Sequence, residues 1–148
     1  PMTIAGPDLV LRKLGPPFLN LGEFGTFTLD VINIGQFEAW NVTIDDLLPN
    51  LADGGMCDVA PQNITAQVFE ADGVTPVSAA LVEGTDFTAT FVGDPTCTMT
   101  LSMLTSDSVP TSGLVRASTS GKKTRASVSV STAAKLWLSL IKRGWLPS

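Results

Sequence analysis

The feature that most constrains the fold of this chain is a period-two alternation of apolar and polar residues, which recurs in short runs. Such alternation is typical of β-strands that bury one face and expose the other. The clearest run covers residues 97–103, where a cysteine, two methionines and a leucine alternate with threonine and serine. We predict strands at residues 9–14, 25–34, 39–45, 64–71, 86–92 and 96–104.

The segments between these runs are rich in Gly, Pro, Asn and Asp, which favour turns. No helical pattern separates one predicted strand from the next. Several short strands joined by turns are typical of two antiparallel sheets packed face to face. The predicted fold class is therefore all-β, an antiparallel β-sandwich.

The charge distribution divides the chain at residue 107. All fourteen acidic residues lie between Asp8 and Asp107, together with only two of the nine basic residues, and no acid follows. We therefore predict a body over residues 1–107 and a basic tail, rich in Ser and Thr, over residues 108–148. The basic tail could fold back on the acidic body, or meet an acidic partner or an anionic membrane surface.

The structure of the tail is left open by its pattern. Val128 and Val130 alternate with serines, as in one more strand that would complete the sandwich. The apolar residues of 133–145 fit one face of a short amphipathic helix, but those of 136–140 also fit a strand.

The composition limits the chemistry that the chain can perform. It contains no histidine, no tyrosine and two cysteines, so histidine-dependent nucleophiles and bases and a four-ligand zinc site are excluded. The acidic body disfavours nucleic-acid binding, and no stretch reaches the roughly 20 apolar residues of a membrane span. We expect a non-enzymatic binding or structural module.

Three stretches together resemble a known family: DLVLRKLG at 8–15, FGTFTLDVINIG at 24–35 and EAWNVTIDDLLP at 38–49. They are similar to the opening of the repeat domain called domain of unknown function 11, which is strung in tandem along large bacterial surface proteins. The stretch 86–103 resembles the later strand pair of the same family, so the similarity covers about residues 8–104. The positions that match the motif are Lys13, Asn33, Gly35, Ala39, Asn41, Val42, Asp46, Leu48 and Pro49.

The resemblance implies an Ig-like sandwich that serves as a structural or adhesive spacer of an extracellular, cell-surface or fimbrial protein. Implied partners are neighbouring repeat domains or other surface proteins. Separately from the resemblance, an edge strand left exposed, or the tail itself, would allow self-association. The closing strands of the family are rich in Asp and Asn, whereas residues 108–148 contain neither. The tail therefore departs from the family pattern.

An alternative hypothesis is an extracellular module that binds carbohydrate or peptide through surface aromatic residues such as Trp40, assisted by calcium. Calcium prefers several oxygen ligands in flexible loops, and four acids crowd one segment. Their spacing does not match an EF-hand loop, so solvated turn acids are the simpler interpretation. The candidate ligands are Asp45, Asp46, Asp53 and Asp58.

Two further pairs are candidate sites. Cys57 and Cys97 would form a disulfide in an oxidising compartment, and the alternative is two unpaired thiols. By resemblance to isopeptide-forming domains, Lys13 would attack an Asn amide while Asp46 shuttles the proton. The acceptor should lie on the final strand, yet the last asparagine is Asn63. We therefore expect Lys13 to be solvated and Asp46 to be a turn acid.

Overall fold

A computed structural model of the chain describes residues 5–51, 55–104, 108–125 and 138–141. Within these ranges the chain forms β-strands joined by turns and contains no helix. The strands are β1 Leu9–Leu14, β2 Phe24–Asn33, β3 Ala39–Trp40, β4 Thr43–Leu47, β5 Gln62–Phe69, β6 Phe87–Val92, β7 Thr98–Met103, β8 Ser108–Val109, β9 Leu114–Lys122 and β10 Leu138–Ile141.

The strands form two four-stranded sheets and one short pair. The first sheet has the order β1-β2-β9-β5, the second has the order β10-β4-β7-β6, and β3 pairs with β8. Every named pair is antiparallel. The predicted antiparallel β-sandwich is confirmed.

The core consists of the inward-facing residues of the two sheets. Leu29 and Val31 of β2 and Val115 of β9 are buried on the first sheet, and Ile44 and Leu101 are buried on the second. Full burial of one such side chain contributes about 1.5–3 kcal/mol. The alternation predicted for residues 97–103 is confirmed, because its apolar members are buried and its hydroxyl residues are half-exposed.

The strand predicted over residues 39–45 is interrupted. Asn41 has a φ of 53°, in the left-handed region that asparagine tolerates better than most residues. This residue ends β3 and lets β4 begin at Thr43. Regular alternation over 39–45 would turn Trp40 and Ile44 to the same inner face, but Ala39 is buried there and Trp40 is only half-buried, while Ile44 is buried.

The reversal of charge after residue 107 does not coincide with the end of the sandwich. β9 lies between β2 and β5 in the middle of the first sheet, and its Val115 and Ala117 are fully buried. Farther along, β10 pairs antiparallel with β4, so the segment that fitted either a helix or a strand is a strand over residues 138–141. Val128, Val130 and the rest of 133–145 lie outside the described residues.

Candidate functional site

The candidate pair Lys13 and Asp46 is positioned by the alternation of two strands in different sheets. On β1, the inward series that begins with Leu9 and Leu11 continues to Lys13. On β4, the inward series of Ile44 continues to Asp46. Both side chains therefore enter the space between the sheets.

The two side chains form an ion pair inside the sandwich. The Lys13 Nζ donates to both carboxylate oxygens of Asp46, each at 2.9 Å, and the two side chains are 5% and 1% exposed. The same ammonium lies 5.1 Å from the centroid of the Phe27 ring, a favourable cation–π distance. The expectation that Lys13 is solvated and Asp46 is a turn acid is wrong, because strand alternation directs both inward.

The isopeptide hypothesis requires an asparagine beside Lys13. Asn33 is buried, but its amide nitrogen already donates to the carbonyl oxygens of Phe37 and Val109 at 2.7 and 3.1 Å. It also lies opposite Leu9, four residues along β1 from Lys13. Asn63 is exposed on β5. Neither Asn33 nor Asn63 is therefore placed to receive Lys13, whose ammonium is instead bonded to Asp46.

The two cysteines are joined in the structure. Cys57 and Cys97 form a disulfide with an S–S distance of 2.14 Å, and both residues are almost fully buried. Leu48 and the half-buried Phe91 pack against them. The bond links the segment after β4 to the residue that precedes β7, and so closes a loop that contains β5 and β6.

The candidate calcium ligands point in different directions. Asp45 and Asp46 are neighbours on β4, so they face opposite sides of the sheet, and Asp45 accepts a hydrogen bond from Thr100 at 2.8 Å. Asp58 accepts hydrogen bonds from Arg125 and Thr124, which lower its pKa, the Arg125 bond most strongly. Over the described ranges, no three acidic or sulfur ligands gather into a metal site, and Asp53 lies outside them.

A second buried charge, absent from our sequence predictions, lies on the outer face of the first sheet. Asp30 is buried between its register partners Arg12 and Arg116, whose nearest nitrogens lie 2.6 and 2.8 Å from its oxygens. Burial by itself would raise the pKa of Asp30, but the hydrogen bonds from Arg116 and Arg12 together lower it. The available signal was an acid in the middle of a strongly β-forming run.

A shallow pocket of about 250 Å³ lies beside the disulfide. Its polar side chains are those of Asn50 and Thr96, and no charged residue lines it. The pocket can therefore offer apolar surface and hydrogen bonds to a ligand, but no acid or base.

Comparison with protein-family models found no match, and no curated protein is significantly similar in sequence. No helix among the described residues is long and apolar enough to cross a membrane.

Proposed function

We propose that this domain is a non-enzymatic, load-bearing structural or adhesive module of a bacterial cell-surface or fimbrial protein, with an Ig-like sandwich. The observation that carries the proposal is the ion pair between Lys13 and Asp46, which links one sheet to the other.

The energetics of this pair argue for a role other than simple stability. Replacing a buried ion pair by apolar residues of similar volume is often neutral or stabilising, because desolvation of the charges offsets their attraction. Apolar contacts are non-directional, so they do not by themselves define one bonded position of one sheet relative to the other. A two-point hydrogen bond between a buried ammonium and a buried carboxylate is directional, and it holds β1 in one position relative to β4.

The disulfide supports the same role. Under tension, the covalent bond between Cys57 and Cys97, which are 40 positions apart, shields the segment between them from extension. Such bonds persist in oxidising environments, which agrees with an extracellular location. The resemblance to surface-protein repeat domains, stated above for residues 8–104, supports the same assignment and names neighbouring repeats as partners.

Single-molecule force spectroscopy on tandem copies of the full chain tests the proposal. We expect the double variant Lys13→Met/Asp46→Val to unfold at a lower force than the wild type while keeping a similar free energy of unfolding. Arg12→Met is the matched control, because Arg12 bonds to Asp30 within one sheet and does not link the two sheets. Equal unfolding forces for the wild type and the double variant would refute the load-bearing role.

The same measurement reports on the disulfide. At about 3.6 Å per extended residue, the sequence separation of 40 that the bond spans corresponds to about 140 Å of chain. We expect each oxidised domain to lengthen by about that much less than each reduced domain when it unfolds. Equal extensions in the oxidised and reduced states would show that the disulfide does not shield this segment under force.

A further inference from the structure

The edges of the two sheets differ in how they are protected. The outer edge of β5 is covered by the segment 75–81, in which Leu81 and Val77 donate backbone hydrogen bonds to Ala66 and Val68 at 2.9 and 3.0 Å. At the other end of the first sheet, β1 carries Arg12 and Lys13, and charged side chains discourage strand addition. In the second sheet, β10 is one edge, and it pairs with β4 and lies against β1 of the first sheet.

β6 is the opposite edge of the second sheet, and its backbone groups can be assigned from its pairing with β7. Leu104 donates to the carbonyl oxygen of Asp86 at 2.9 Å, so the even-numbered residues of β6 hydrogen-bond to β7. The odd-numbered residues therefore face away from β7. The groups of Phe87 bond to the turn at residues 82–84, whereas Ala89 and Phe91 have no backbone partner among the described residues.

The side chains of β6 do not protect this edge. Its sequence, FTATFV, contains no charge and no proline, and its residues are mostly aromatic or β-branched. An edge strand of this composition is a template for pairing with another strand.

We propose that β6 pairs antiparallel with β6 of a second copy of this chain across a twofold axis, which joins the two second sheets into one. In this register Ala89 of each copy lies opposite Phe91 of the other, and Thr90 lies opposite Thr90. Each Ala89–Phe91 pair exchanges two backbone hydrogen bonds, and the axis generates the pair twice, so every free group of β6 is satisfied.

The faces of the strands also agree in this register. Thr88, Thr90 and Val92 are exposed on the outer face, while Ala89 and Phe91 are half-buried on the inner face. Residues that lie opposite one another come from the same face, so Phe91 packs beside Ala89 of the second copy. A shift by two residues in one direction would place Phe91 opposite Phe87, whose backbone groups are already bonded. A shift in the other direction would place Ala89 opposite Gly93, whose carbonyl oxygen already accepts from Cys97.

A single strand pair buries little area, so we expect a weak dimer that exchanges with monomer. Sedimentation equilibrium of the oxidised full chain, from about 1 μM to about 1 mM, should show the mean mass rising from that of one chain towards that of two. Thr90→Lys places two ammonium groups opposite each other and should weaken association about fivefold, the effect of roughly 1 kcal/mol between like charges across a strand pair.

Thr26→Lys is the matched control, because Thr26 is exposed on β2, which is not an edge strand. The urea midpoint of each variant shows whether it is folded. A mixture of Thr90→Lys and Thr90→Glu chains should associate more strongly than either variant alone, because the mixed pair brings opposite charges together.

A wild-type chain that stays monomeric throughout would overturn the proposal, as would a dimer that Thr90→Lys weakens no more than Thr26→Lys does. Failure of the mixture to recover association would exclude the register. Strand pairing does not require the domain to bear load, so the force measurements and the dimer measurements fail independently.

Discussion

Removing one partner of the buried pair between Lys13 and Asp46 should destabilise the domain far more than removing both. Asp46→Val leaves an ammonium that is 5% exposed without its counter-ion, and Lys13→Met leaves a carboxylate that is 1% exposed. Breaking a buried ion pair in this way costs about 3–5 kcal/mol. That is a large part of the 5–15 kcal/mol by which native domains are typically stable.

The double variant Lys13→Met/Asp46→Val removes both charges and fills the space with apolar groups. We expect its free energy of unfolding to lie within about 1 kcal/mol of the wild type, or above it. The double-mutant cycle should therefore yield a coupling of at least about 5 kcal/mol, larger than most side-chain pairs show.

Urea denaturation at pH 7 with the disulfide intact is the appropriate assay. With a slope near 2 kcal/mol/M, a loss of about 3 kcal/mol lowers the midpoint by about 1.5 M. Single variants that lose less than about 1 kcal/mol would refute the argument, because the charges would then be reached by water. If the double variant is as unstable as the single variants, the loss of stability comes from altered packing and not from an unpaired buried charge.

Three further predictions follow from the same structure. Replacing Cys57 and Cys97 by Ala should cost about 4 kcal/mol from the 40-residue loop, and a urea midpoint that does not change would contradict this. The lowered pKa of Asp30 means that its contribution is present above the unfolded pKa near 3.9 and is lost as the pH falls through the lower folded value. Asp30→Asn should therefore lower stability at pH 7 and flatten its decline below about pH 4, and parallel stability–pH curves would contradict this. Finally, the intact mass should show no loss of the ~17 Da of ammonia that amide formation by Lys13 would release, and such a loss would revive the isopeptide hypothesis.

The positions of most strands could be predicted from local pattern alone. β1 matches its predicted bounds, and the ends of β2, β5, β6 and β7 differ from prediction by one or two residues. The error at residues 39–45 has a local cause, the left-handed backbone of Asn41, which the alternation of neighbouring side chains does not reveal.

The basic composition of residues 108–148 did not reveal that β9 belongs to the sandwich. Charge does not decide whether a segment forms a strand, since in β9 the polar residues occupy the outer face and Val115 and Ala117 occupy the inner face. Arg116, counted with the basic tail, is the partner that holds Asp30 on the neighbouring strand.

The amino-acid sequence by itself determined which residues of each strand share a face, because side chains alternate at every second position whatever the strand pairs with. It therefore specified the apolar face of β7. The sequence also shows directly that β6 contains no charged residue. Only the tertiary structure decided which strands face one another, and so brought Lys13 to Asp46 across the core and left β6 at an edge. These outcomes depend on pairings between segments far apart in the chain, and local periodicity contains no information about them.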